Sequence, residues 1–130
     1  IPSAVALIPF HDTLNRFPLV LKNATAPRYE VTWGNTTKTF STADLTKGIN
    51  LAAEFRDNPF SGPFEKVSKA VFAKQDYETR QIKTLFHGPE GAADLAMTAA
   101  LTEKVRAPLA EAVTQSVGPV EHVLKVKALP

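Results

Sequence analysis

Between Arg28 and Phe55 the sequence RYEVTWGNTTKTFSTADLTKGINLAAEF runs from strand to tight turn to strand to helix cap to helix stop with almost no slack. That stretch limits what the rest of the chain can build. Tyr29, Val31 and Trp33 alternate with Glu30 and Thr32, the period-two pattern of a strand with one buried face. Gly34-Asn35 breaks the run, and glycine in the first central position suits a two-residue type II′ hairpin turn. The register that follows pairs Trp33 with Thr36, Val31 with Lys38 and Tyr29 with Phe40, so the aromatic residues share one face. Ser41-Thr42-Ala43-Asp44 then reads as a capping box. In it the Ser41 hydroxyl accepts from the Asp44 amide and the Asp44 carboxylate reaches back to the Ser41 amide. Gly48 ends the short helix in a left-handed conformation, with Lys47 beside the negative end of the dipole.

The flanking sequence completes an α+β outline. Pro2 and Pro9 limit a first strand to Ser3 through Ile8, His11 to Asn15 is a polar break with room for one helical turn, and Arg16 to Lys22 reads as a second strand. Asn23 to Pro27 is a turn cluster that leads into the hairpin. Arg56 to Pro63 reads as a loop, with two prolines and a glycine. From Phe64 to His87 no helix breaker occurs, and Phe64, Val67, Val71, Ile82 and Leu85 recur at helical spacing, interrupted at Lys74, Gln75 and Glu78. Gly88-Pro89 stops that helix and starts a second, with Glu90 and Asp94 near its positive end and Met97, Leu101 and Val105 on one face. Pro108 is expected to kink or split it near Arg106. Val120 to Lys127 alternates and reads as a final strand that can return to the sheet. The expected architecture is therefore a small antiparallel sheet with a hairpin and a short capped helix, followed by a long helical hairpin and a C-terminal strand. Residues 1–60 form the β-rich part, and 61–130 the helical hairpin with the terminal strand.

At 130 residues the chain can bury a core without help from disulfides, because it has no cysteine, and a thiol nucleophile or thiolate metal site is excluded with it. A net charge of +2 with interspersed signs does not describe a nucleic-acid surface. No apolar run is long enough to span a membrane, and IPSAVALIPF lacks the basic start of a signal peptide. Its Ile-Pro beginning suggests a chain cut from something longer, or one whose first residues are not counted. His11, His87 and His122 have no mutual ligand spacing and no triad partners in sequence, so each reads as structural or surface. No catalytic, cofactor-binding or metal-binding residue is expected. Asn23-Ala24-Thr25 and Asn35-Thr36-Thr37 match the glycosylation pattern but are equally turn asparagines. Tyr29, Trp33 and Phe40 on one hairpin face are ordinary core material; the alternative makes them a carbohydrate- or protein-binding surface.

The segments LNRFPLVLKN, APRYEVTWG, TFSTADLTKGINLA and NPF resemble the C-terminal region of SGNH (GDSL-type) hydrolases, in particular larger bacterial members. The signature is carried by Phe40, Ser41, Leu45, Gly48, Ile49, Asn50, Leu51 and Ala52. AKQDYETRQIKTLFHGPEG and LTEKVRAPLAEAV look similar to a helical hairpin that some of them append. The family's catalytic blocks do not carry over: there is no Gly-Asp-Ser-Leu block, and no histidine has an aspartate three residues before it. Gly48-Ile49-Asn50 matches a Gly-x-Asn oxyanion block only superficially, because it follows the capped helix. The resemblance implies a non-catalytic C-terminal part of an esterase. Its partner would be an SGNH catalytic core or a companion chain carrying one, in a periplasmic or secreted setting, with oligomerisation open. The interrupted stripes further predict a hairpin that protrudes, since a helix of roughly 24 residues reaches about 36 Å, with a loosely held tip from Leu85 to Ala93.

Overall fold

Gly34 has φ +62° and Asn35 keeps a negative φ, the combination a type II′ turn requires. The two strands that it joins are β2 (Arg28–Trp33) and β3 (Thr36–Ser41), and their register is the expected one, with Trp33 opposite Thr36, Val31 opposite Lys38 and Tyr29 opposite Phe40. The computed structural model describes residues 9–130, so the strand expected at Ser3 to Ile8 lies outside the described residues. Ahead of β2 come a single helical turn, α1 (Phe10–Thr13), and a two-residue strand, β1 (Pro18–Leu19), where the sequence suggested Arg16 to Lys22. The strand is short because its partner is short: among the described residues β1 pairs only with β4 (Ile49–Asn50), Pro18 opposite Asn50 and Leu19 opposite Ile49.

The chain divides into two units, residues 1–61 with 121–130, and residues 62–120. In the first unit β2 is the central strand of a three-stranded antiparallel sheet, flanked by β3 and by β5 (Leu124–Leu129). The last strand thus belongs with the β-rich part rather than with the helical hairpin. It starts four residues later than the alternation suggested, because its first bridge sets Leu124 opposite Trp33. Leu124 keeps the expected parity and packs on the core. That core consists of Tyr29, Val31, Trp33, Leu45, Leu51 and Phe55, supplied by β2, by α2 (Thr42–Lys47) and by a short helix, α3 (Leu51–Glu54), with its C-cap Phe55. Burying such side chains contributes about 1.5–3 kcal/mol each.

The Ser41 hydroxyl accepts from the Asp44 amide at 3.1 Å, but the Asp44 carboxylate takes a hydrogen bond from that same hydroxyl at 2.6 Å instead of from the Ser41 amide. The capping box is therefore half formed. Gly48 ends α2 at φ +102° and ψ 133°, beyond the left-handed helical region, and a Cβ there would stand 3.1 Å from Val20.

The second unit holds α4 (Ser61–Arg80, its first residue shared with the boundary), a π-helical stretch at Gln81–Phe86, α5 (Pro89–Ala93) and α6 (Leu95–Ser116). Gly62-Pro63, read as loop from the sequence, forms the first turn of α4, where a proline lacks no needed amide. The second long helix begins at Leu95, because Asp94 leaves the helical conformation and accepts from the Met97 amide at 2.9 Å. It runs unbroken through Pro108, so the expected split does not occur.

The apolar stripes form no continuous seam, in line with their interruption in the sequence: Val67, Val71 and Leu85 are half-buried. Phe64, Ile82, Met97, Leu101 and Val105 are all exposed, between 49% and 73%. What the hairpin buries instead is polar: Tyr77, Gln81, Thr98 and Thr102. No helix among the described residues is long and apolar enough to cross a membrane.

Candidate functional site

Trp33 is 1% exposed, and Tyr29 is buried with it. Inward alternation along the central strand leaves these rings no path to solvent, so Tyr29, Trp33 and Phe40 are not an open stacking platform; Phe40 is half-buried against Phe55. Each polar tip has a structural task. The amides of Thr25 and Ala26 donate to the Tyr29 hydroxyl at 2.9 and 3.1 Å, closing the turn that precedes β2. The Ala26 amide, then that of Thr25, holds the phenol below its usual pKa against the opposing effect of burial. The Trp33 indole N–H donates to His122 Nδ1 at 3.0 Å. Around this pair lie Phe17, stacked on Trp33 at 5.2 Å and 19°, and Phe60, 5.9 Å from Trp33 and 5.1 Å from His122.

Asn50, within the Gly-Ile-Asn-Leu-Ala signature, ties three segments together. Its Oδ1 accepts from the amides of Phe17 at 2.8 Å and Ala52 at 3.2 Å, and its Nδ2 donates to the carbonyls of His11 and Asn15, both at 2.9 Å. Both amide hydrogens are consumed by backbone, which leaves nothing to offer an oxyanion. Gly48 sets the turn before it, and Leu51, the next signature residue, is fully buried.

The histidines do not converge. His11 Nδ1 faces the Asn15 side-chain amide at 3.1 Å, His122 is committed to Trp33, and His87 is exposed beside Gly88. Among the described residues no three His, Asp or Glu side chains are grouped to hold a metal ion.

In the helical unit the buried polar groups are mutually satisfied. Tyr77 donates to the Thr102 carbonyl at 3.1 Å, Gln81 Nε2 donates to Thr102 Oγ1 at 2.8 Å, and Thr102 Oγ1 donates to the Thr98 carbonyl at 2.8 Å. Beside them Arg106 is bound by Glu103 at 2.6 Å and Glu78 at 3.3 Å, and Lys74 by Glu78 at 2.7 Å. Hydrogen bonding from Lys74, and then from Arg106, holds the Glu78 carboxyl below its usual range; Arg106 does the same for Glu103, and both acids raise the Arg106 pKa. A shallow recess between these helices is lined by Ile82, Phe86, Ala99 and Ala100 beside the ion pairs. The sequence carried a sign of this interior that apolar periodicity overlooks: Tyr77 with Gln81, and Thr98 with Thr102, are both spaced four apart.

Comparison with protein-family models, with curated proteins and with solved structures finds no match for the chain.

Proposed function

We propose that this chain is a non-catalytic C-terminal part of an SGNH-type hydrolase, and that its helical unit docks on the catalytic core. The observation that carries the reading is the apolar surface of that unit. Phe64 (73%), Phe72 (72%), Met97 (57%) and Leu101 (54%) face solvent while threonine, glutamine and tyrosine fill the interior. A helical hairpin with this inversion gains by covering its outside with another protein surface. Two further points support the assignment. The signature from Phe40 to Ala52 is accounted for by folding tasks, namely the core contact of Phe40, the Ser41 cap, the Gly48 turn, the Asn50 tie and the burial of Leu45 and Leu51. Moreover, the Asn50 side chain is fully engaged by backbone groups, so Gly48-Ile49-Asn50 has a task in the fold.

The rival reading, an independent module binding sugar or protein through Tyr29, Trp33 and Phe40, is opposed by the burial of Trp33. Ester hydrolysis decides the matter. The chain alone is expected to show background turnover of short aryl esters. Combined with an SGNH catalytic core, it should accompany full activity, and Leu101→Arg should then weaken core association. Turnover by the chain alone that disappears on mutating one of its serines would overturn the proposal.

A further inference from the structure

The Trp33–His122 pair has a chemical asymmetry. An indole N–H can only donate, so His122 Nδ1 must carry a lone pair, and the ring is held as the neutral Nε2–H tautomer. A solvent proton that converts the ring to imidazolium adds to that same Nδ1. Two N–H groups would then point at each other across 3.0 Å, and the indole of a residue 1% exposed would lose its partner. His122 is itself exposed, so the proton has access.

From the geometry we infer that His122 is a pH-sensitive latch, closed when neutral and opened by protonation, which fixes the irregular segment Val117–Val123 to the aromatic cluster. That segment contains Gly118 and Pro119 and forms no regular structure before β5 begins at Leu124. Aromatic carbon meets the His122 ring from each surrounding element: Phe17 from the segment before β1 (5.9 Å), Trp33 from β2 (5.7 Å) and Phe60 from the turn before α4 (5.1 Å). The charged residues nearest these and His122 in the chain are Arg16, Glu30, Arg56, Asp57, Glu121 and Lys125. Among the described contacts none of them is hydrogen-bonded or ion-paired to the imidazole, so no counter-ion holds the charged form in place. The sign follows: the neutral ring is the one the hydrogen bond uses, so acidification opens the latch and does not close it.

Imidazolium keeps an attraction for the three rings, so the event is best read at the hydrogen bond itself. Trp33 is the single tryptophan of the chain, which gives one indole N–H resonance in a nitrogen-15 NMR spectrum. Between pH 8 and pH 5 that resonance should move in one step and its exchange with water should quicken at least tenfold. His122→Asn, which offers an oxygen near the Nδ1 position and cannot titrate, should abolish the step. Imidazole nitrogen shifts of the unmodified chain at pH 8 should show Nδ1 unprotonated, a readout independent of any variant. An indole signal unmoved across this range, a step that survives His122→Asn, or a protonated Nδ1 at pH 8 would each overturn the inference.

Discussion

The two units solve the burial problem in opposite ways. The sheet unit places its large apolar side chains inside, with Trp33, Phe55, Leu45, Leu51 and Val31 all under 2% exposed. The helical unit seals its interior with hydroxyl and amide hydrogen bonds and leaves phenylalanine, leucine and methionine outside. An apolar interior is tolerant of partner identity and sensitive to volume; a polar one is tolerant of volume and sensitive to partner identity. The first kind of unit is stable on its own terms. The second, on the function proposed above, is built to be covered.

Substitutions can break this contrast. Trp33→Ala empties the centre of the sheet unit and should cost about 3–5 kcal/mol in a urea titration. Loss of less than 1 kcal/mol would mean that the cluster is not its core. Asn50→Ala strips hydrogen bonds from the amides of Phe17 and Ala52 and the carbonyls of His11 and Asn15, and should cost about 2–3 kcal/mol by the same measurement, with little change in the volume packed.

In the helical unit the sharper test is a pair. Thr102→Val alone should cost about 1–2 kcal/mol by leaving the Gln81 amide without an acceptor, whereas adding Gln81→Met should recover most of that loss. Without recovery, the loss would not come from an unpaired Gln81 amide, and the polar seam would not work by mutual satisfaction. The smallest effect concerns the ion pairs. Glu78 has a lowered carboxyl pKa, so its contribution is present above the ordinary carboxylate value and is lost as pH falls through the lowered one. The melting temperature of Glu78→Gln should therefore lie slightly below that of the unmodified chain at pH 6 and converge with it toward pH 2. High salt should narrow the difference at pH 6.

What the sequence made legible follows the same division. From Arg28 to Gly48 the structural decisions are local: alternation selects a face, Gly34 selects a turn, Ser41 selects a cap. Hairpin register and helix bounds could accordingly be read from neighbours in the chain. The helical unit is decided by contacts between residues more than twenty positions apart, such as Tyr77 with Thr102. Apolar periodicity therefore pointed to Met97, Leu101 and Val105 as a seam, although the seam is at Thr98 and Thr102. Pro108 misled for a related reason. A proline removes one amide, but a long helix with its remaining hydrogen bonds intact can continue past it. Trp33 was read as core from its alternation, while the task of His122 was invisible because its partner lies 89 positions away.

The order in which the strands come together has its own consequence. β2 is bracketed by β3, which follows it at once, and by β5, which arrives only in the last seven residues of the sequence shown here. A ribosome makes the hairpin early and the second edge late. Until then Arg28–Trp33 presents unpaired backbone to anything able to add a strand. The slow, non-local step in assembling the sheet is thus the docking of its end, and loss of only the final residues would leave the earliest-made element as its most adhesive surface.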